Sequence, residues 1–244
     1  MALQFLTRIK ISKNLEMTAE LFSLSTFYFP FVGLMIGVIL YFGASLGEGN
    51  LQPLTLATLL LILEIVITGG LHIDGLMDTC DGILSGRERE KILEIMKDSR
   101  VGAMGVISLC LLLLLKVVFL YEIVLRDDLY MVLFMPFVGR WAMIYALTCY
   151  PSARSEGLGH LFRKRLNKKS FFLISLYSLI ILSFSFYYLS DMMALIWPLT
   201  ALMVYFTAER INLILGGHTG DTYGAISELA EMYFLGSFLI LINI

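Results

Sequence analysis

The chain has 244 residues, 58% hydrophobic and 16% charged, with a formal net charge of −2 and a mean hydropathy of +0.82. Soluble domains carry about a quarter charged residues and under half apolar ones, so the composition excludes that class and predicts an all-α polytopic integral membrane helix bundle. The near-neutral charge offers no bulk attraction for a polyanion, which argues for a lipid bilayer and no nucleic acid as partner.

The opening stretch MALQFLTRIKISK places its basic residues after a short apolar run. That is the reverse of an export signal, so the expectation is no cleaved leader and a short amphipathic helix at the membrane surface. Crossing a hydrocarbon core takes about 20 mostly apolar residues. Such runs lie at roughly 24–47, 53–71, 103–125, 130–149, 171–190, 192–215 and 225–244, about seven transmembrane helices in all. In the first, Gly33 and Gly37 form a G-x-x-x-G suited to close helix packing beside Pro30. The last is marginal, because Glu228 and Glu231 leave only Met232 to Ile244 uninterrupted. No linker, low-complexity run or internal repeat appears, so residues 1–244 read as a single membrane-embedded domain.

With all these runs spanning, the N-terminus and the connections 72–102, 150–170 and 216–224 share one side. Arg8, Lys10, Lys13, Arg87, Arg89, Lys91, Lys97, Arg100, Arg154, Arg163, Lys164, Arg165, Lys168 and Lys169 all fall there. The opposite connections hold Arg126 with Glu48, Asp127, Asp128 and Asp191. The positive-inside rule makes the basic side cytoplasmic and the protein a multi-pass component of the cell membrane. The run RKRLNKK reads as a lipid-headgroup and topology signal. Cys80, Cys110 and Cys149 have no C-x-x-C spacing and read as reduced packing residues.

Ionisable residues within spans cost about 2.5 to 3.5 kcal/mol each at mid-membrane. Glu64, Arg140, Glu209, Arg210, Glu228 and Glu231 are therefore expected to face a cavity or one another. Glu228 and Glu231 share a helix face and are expected to support the aspartate site described next, while Lys116 and Glu122 are expected to snorkel or pair.

The segment DGLMDTCDG at 74–82 places Asp74, Asp78 and Asp81 within an arc of about 60° on a helix. Gly75 and Gly82 make that geometry conditional. Such carboxylates either face water in a solvated loop or surround a cation, and oxygen-only ligands favour Mg²⁺, Mn²⁺ or Ca²⁺. His72 points away from them on the same helix and reads as a polar interfacial residue. In KDSRVGAMG at 97–105, Lys97 and Arg100 can neutralise phosphate or anchor the span at headgroups, Gly102 and Gly105 allow close backbone approach, and Asp98 is a further metal ligand. In GGHTGDTYG at 216–224, Gly216, Gly217, Thr219 and Gly220 suit either an anion-binding nest or a tight turn, with Asp221 capping the next helix or binding metal. ARSEGLGHLF at 153–162 adds Arg154, Glu156 and His160. Together these residues suit metal-assisted transfer from a nucleoside-diphosphate-type donor.

The motifs FLTR (5–8), FPFVGLMIG (29–37), TGGLHIDGLMDTCDG (68–82), KDSRVGAMG (97–105), ARSEGLG (153–159) and GGHTGDTYGAISELAE (216–231), in that order, resemble those of the cobalamin synthase family, the adenosylcobinamide-GDP ribazoletransferases. Met77 and Cys80 stand where that family commonly has alanine. The resemblance implies an Mg²⁺-dependent membrane enzyme joining adenosylcobinamide-GDP to α-ribazole or its 5′-phosphate, with release of GMP. It implies Asp74, Asp78 and Asp81 as metal and donor ligands, Asp98 as a fourth, and Lys97, Arg100 and the 216–221 turn at the phosphates. Asp81 is the narrow choice for general base. The basic loops also offer a surface to other cobalamin-pathway enzymes, and the oligomeric state stays open. Two other readings are a CDP-alcohol phosphotransferase, whose D-x-x-D-G spacing DGLMDTCDG does not follow, and a cation carrier, which leaves the loop glycines and KDSR unexplained.

Overall fold

The computed structural model describes residues 1–11, 19–154, 168–188 and 192–243. Among them the chain is helical, with an isolated parallel bridge between Ser152 and His218. The helices are α1 (Ala2–Leu6), α2 (Ala19–Ser25), a 3₁₀ turn (Thr26–Tyr28), α3 (Phe29–Gly47), α4 (Pro53–Thr68), α5 (Leu71–Ile83) and α6 (Arg89–Ile95). They continue as α7 (Ala103–Leu125), α8 (Tyr130–Cys149), α9 (Lys168–Tyr188), α10 (Met193–Leu215) and α11 (Gly220–Ile242). Glu156, His160, Arg163 and Lys164, with Lys13 and Asp191, lie outside the described residues.

Four described segments, Ser23–Gly47, Ala103–Leu125, Tyr130–Cys149 and Gly220–Ile242, are long and apolar enough to cross a membrane, with a fifth if α4 and α5 count as one bent segment. The bundle is thus all-α and membrane-type, but the expected seven spans are not reached on length and composition. In α9 only Phe171–Ile181 forms a described apolar stretch, and α10 carries Glu209 and Arg210. The marginal last span lies in α11, a continuous 23-residue helix that packs against α5, α8 and α10. Large apolar side chains such as Leu46, Leu114, Ile180 and Phe206 point outward, as a lipid-facing surface requires.

The central helix is α8, buried along most of its length. It lies so close to α3 that a Cβ at Gly33 would run into the Pro136 carbonyl, and one at Gly37 into the Leu133 carbonyl. The G-x-x-x-G therefore acts as a packing surface. The expected short N-terminal helix forms as α1 and packs on α3: Ala2 and Leu6 are buried, and Phe5 stacks on Phe29 with centroids 6.0 Å apart. Just beyond it, the Arg8 N–H donates to the Ile67 carbonyl at 2.8 Å.

Where one long span was expected from 53 to 71, the chain turns through 90° between α4 and α5. Gly69 and Gly70 both sit in the left-handed region, at φ 69° and 71°, which costs a residue with a Cβ about 1 kcal/mol or more. The bend takes α5 off the line of the span and lays it against α7 and α11. That contact with α11 is also close: a Cβ at Gly75 would stand 2.6 Å from the Asp221 carbonyl oxygen.

Inside the bundle the charges do face one another. The buried Lys116 ammonium lies 2.6 Å from Glu231, 2.8 Å from Glu228 and 3.3 Å from Glu64, and the buried Arg140 guanidinium pairs with Glu231. Lys116 is paired and not snorkelling. Glu228 and Glu231 serve this network and not the aspartates, correcting the expected support role: their helix face turns toward α7 and α8. Glu122 pairs instead with Arg126 at 3.6 Å, one turn along.

Candidate active site

The α5 helix runs unbroken through Gly75 and Gly82, so Asp74, Asp78 and Asp81 do share a face. Their surroundings differ. Asp81 reaches the start of α7, where Oδ2 accepts the Gly102 N–H and Oδ1 the Gly105 N–H, each at 2.7 Å. It satisfies two of the amides that a helix start leaves unpaired. A Cβ at either glycine would crowd this carboxylate. The Gly102 and Gly105 amides, expected at a phosphate, donate to Asp81 in this structure.

Asp74 is exposed and Asp78 half-buried. Burial pushes the Asp78 carboxyl up to about 6, with the charges of Asp74, Asp221 and Asp81 adding to the effect and Arg154 opposing it. Asp221 Oδ2 accepts from Arg154 Nη1 and from Thr219 Oγ1, each at 3.2 Å. Asp74, Asp78 and Asp221 thus form an acidic group drawn from α5 and the start of α11.

The 216–221 turn holds Asp221 in place. Gly216, at φ 67°, ends α10 with its N–H on the Asn212 carbonyl. Gly217, at φ 146°, passes so close to Pro151 that a Cβ would stand 2.5 Å from its carbonyl oxygen. Two backbone hydrogen bonds at His218 tie the turn to the extended segment 151–154, His218 N–H donating to the Pro151 carbonyl at 2.9 Å and Ala153 N–H donating to the His218 carbonyl at 2.8 Å. Thr219 and Thr222 form a reciprocal cap on α11. His218 is buried, accepts or donates at Thr222 Oγ1 (3.1 Å), and is drawn down to about 4 by burial, so it stays neutral. The amides of Gly216, His218 and Thr219 are therefore engaged within the turn, and Gly220 opens the helix whose next residue is Asp221.

Arg154, which the sequence pattern named without a role, donates to Asp221 Oδ2 at 3.2 Å and to the Leu93 carbonyl at 3.3 Å. Arg89 donates from Nε to the Leu215 carbonyl (2.6 Å) and from Nη2 to the Ala153 carbonyl (3.0 Å), stitching α6 to both loops. Neither role was legible in the sequence, because each depends on residues about 60 or more positions away. On the other loop, Asp98 and Arg100 grip each other through a two-pronged pair, with Nη2 to Oδ2 at 2.6 Å. That pairing holds the Asp98 carboxyl down at about 2. Lys97 and Arg100 are exposed, and neither they nor Asp98 lines the clefts beside Asp74.

Two clefts meet at Asp74. One, of about 590 Å³ with its mouth, runs between α1, α3, α5, α8 and α11 to Asp221. The other is an open groove of about 840 Å³ over the Gly69–Gly70 bend, with Arg8 on its rim. Among the described residues no three His, Cys, Asp or Glu side chains converge as a ready metal cage. The donor set fits Mg²⁺ in a more open form, since that ion keeps several waters and takes one or two carboxylates plus substrate phosphates. A cation among Asp74, Asp78 and Asp221 would relieve the repulsion that raises Asp78.

The sequence that builds these elements is similar to that of known proteins. Residues 1–239 fit the family model for cobalamin-5-phosphate synthase. An adenosylcobinamide-GDP ribazoletransferase of Desulfitobacterium hafniense is 40% identical over 98% of this chain and 96% of its own length. Proteins of the same name from Clostridium botulinum and Desulforamulus reducens are 38% and 41% identical, over 96% and 100% of this chain and 93% and 95% of their own. No solved structure matches. With the whole helical order and every site motif inside the matched stretch, the chain belongs to the cobalamin-5-phosphate synthase family.

Proposed function

We propose that this chain joins adenosylcobinamide-GDP to α-ribazole, or to α-ribazole 5′-phosphate, at the cytoplasmic face of the cell membrane, using Mg²⁺ and releasing GMP. The observation that carries the reading is the acidic group of Asp74, Asp78 and Asp221, assembled from two helices, of which Asp74 lines both clefts and Asp221 the one walled by α8. The substrates follow from the relatives, which are adenosylcobinamide-GDP ribazoletransferases.

In the reaction, the incoming nucleoside hydroxyl attacks the corrinoid-side phosphorus of the diphosphate. A new P–O bond forms, the bond to the bridging oxygen breaks, and that oxygen leaves on GMP. Bound Mg²⁺ would neutralise the diphosphate and stabilise the leaving phosphate. Asp74 and Asp221 would hold the ion. Asp78, half-buried on the same helix face as Asp74, is the carboxylate placed to take the hydroxyl proton, with burial favouring its protonated form. Asp81, with both oxygens on α7 amides, acts by positioning α5, and Asp98 acts by orienting Arg100. Lys97 and Arg100 meet the arriving diphosphate from the exposed loop. Gly216, Gly217, Thr219 and Gly220 fix Asp221, and Arg154 restrains it.

The test is purified protein in lipid nanodiscs with adenosylcobinamide-GDP, α-ribazole and Mg²⁺, followed by GMP and corrinoid product. Asp78→Asn is expected to lower kcat by about 100-fold or more, and chelation to stop turnover until Mg²⁺ is restored. Full activity in Asp78→Asn would overturn the site. Turnover of a CDP-alcohol donor with CMP as product would replace the reaction.

A further inference from the structure

The two clefts differ in chemistry, and the two proposed substrates differ in the same sense. The enclosed cleft is walled by Phe5, Phe29, Met143 and Leu147, and only at its mouth do Asp74 and Asp221 face in. Among the described residues no Lys or Arg lines it, and Arg154, beside Asp221, is engaged by Asp221 and the Leu93 carbonyl. A diphosphate there would find no basic side chain in the lining beyond the single Mg²⁺ that Asp74 and Asp221 would hold, and mostly apolar walls for its remaining oxygens. A neutral aromatic base suits it, with ring against apolar wall and sugar hydroxyls donating to the carboxylates.

A second observation points the same way. His72 lines this cleft, is 2% exposed, and has neither ring nitrogen hydrogen-bonded. Buried polar nitrogens without partners cost about 1 to 3 kcal/mol each, and a ligand with a ring nitrogen or a hydroxyl removes that cost. The groove on the other side of Asp74 has the opposite character. It is open, floored by Thr68, Gly69 and Gly70, and rimmed by Arg8, which lies over the bend with Nε 2.5 Å from where a Gly69 Cβ would stand. Arg8 is exposed and makes no ion pair among the described residues.

We propose that Asp74 is the divide between the two substrates: the enclosed cleft takes the aromatic base of the acceptor nucleoside, with His72 as a recognition residue, and the Arg8 groove takes the diphosphate of the donor. The nucleoside hydroxyl then approaches phosphorus from the α8 side and the GMP phosphate leaves on the α4 side. This assignment rests on the function proposed above and names which residues sort its substrates.

Steady-state kinetics and binding of each substrate alone test it on the full-length protein in nanodiscs. Met143→Phe, which fills the enclosed cleft, and His72→Leu are each expected to raise the α-ribazole KM and Kd about tenfold and leave GMP binding unchanged. Met143→Ala is expected to shift preference toward nucleosides with bulkier bases, which a merely destabilised protein would not do. Arg8→Gln is expected to raise the donor KM and the GMP Kd about tenfold and spare α-ribazole. The reverse pattern, or equal loss for both ligands in variants that retain the wild-type melting temperature, overturns the assignment. Absence of GMP release from the wild type would instead sink the underlying reaction, while the two binding measurements would still report on the clefts.

Discussion

At Asp78, burial and the charges of Asp74, Asp221 and Asp81 act in one direction and Arg154 in the other. The folded protein therefore binds the Asp78 proton more tightly than the unfolded chain does. Between about pH 4 and 6 this group makes stability fall as pH rises, because ionisation is disfavoured in the fold. Activity runs the opposite way, since the base works ionised, and kcat is expected to fall about tenfold per pH unit on the acid side of the Asp78 titration, which bound Mg²⁺ would shift to lower pH. Asp221→Asn removes one of the charges raising Asp78, so the acid limb measured for partial activity in that variant is expected to move to lower pH. An unmoved limb would assign the titration to another group. The spacing of DGLMDTCDG made the shared face of the three aspartates readable in advance. What each carboxylate touches was not readable, because the partners of Asp81 lie 21 and 24 positions away and Asp221 belongs to another helix.

Helices α5 and α7 are joined end to face by that Asp81 contact, which does for α7 what a local Ser or Asp does at most helix starts. Asp81→Ala is expected to lower stability by about 1 to 2 kcal/mol and loosen the α5 face, while Asp81→Asn, which keeps one acceptor oxygen, loses less. Urea or thermal unfolding in detergent measures both. Equal stability of the alanine variant and the wild type would reduce Asp81 to a surface acid. Element boundaries followed from apolar runs for α3, α7 and α8, whose ends agree with the expected spans to within a few residues. The bend after α4 was hidden in the same hydropathy signal. Apolar content continues across Thr68 to Leu71, and only the paired left-handed glycines change the chain's direction.

Across the whole bundle, α4, α7, α8 and α11 are linked by the charges of Glu64, Lys116, Arg140, Glu228 and Glu231. Removing one partner of such a group leaves uncompensated buried charge, a loss of about 3 to 5 kcal/mol. Lys116→Met is expected to show that loss in detergent unfolding, and Glu228→Gln added to it is expected to restore part of the stability. A change under about 1 kcal/mol, the range of exposed pairs, would mean that water reaches the network. The same pairing explains why α11 is a full-length helix despite its two glutamates. Composition and the period of the apolar runs were enough to establish a helical membrane bundle, its motif-bearing loops and the acidic face of α5, because lipid selects for residue type along each segment separately. Folding alone assigned the partners: which cation neutralises Glu231, which amides hold Asp81, and which two helices bring Asp74 and Asp221 to one mouth. Those are contacts between residues far apart in the chain, and no local pattern encodes them.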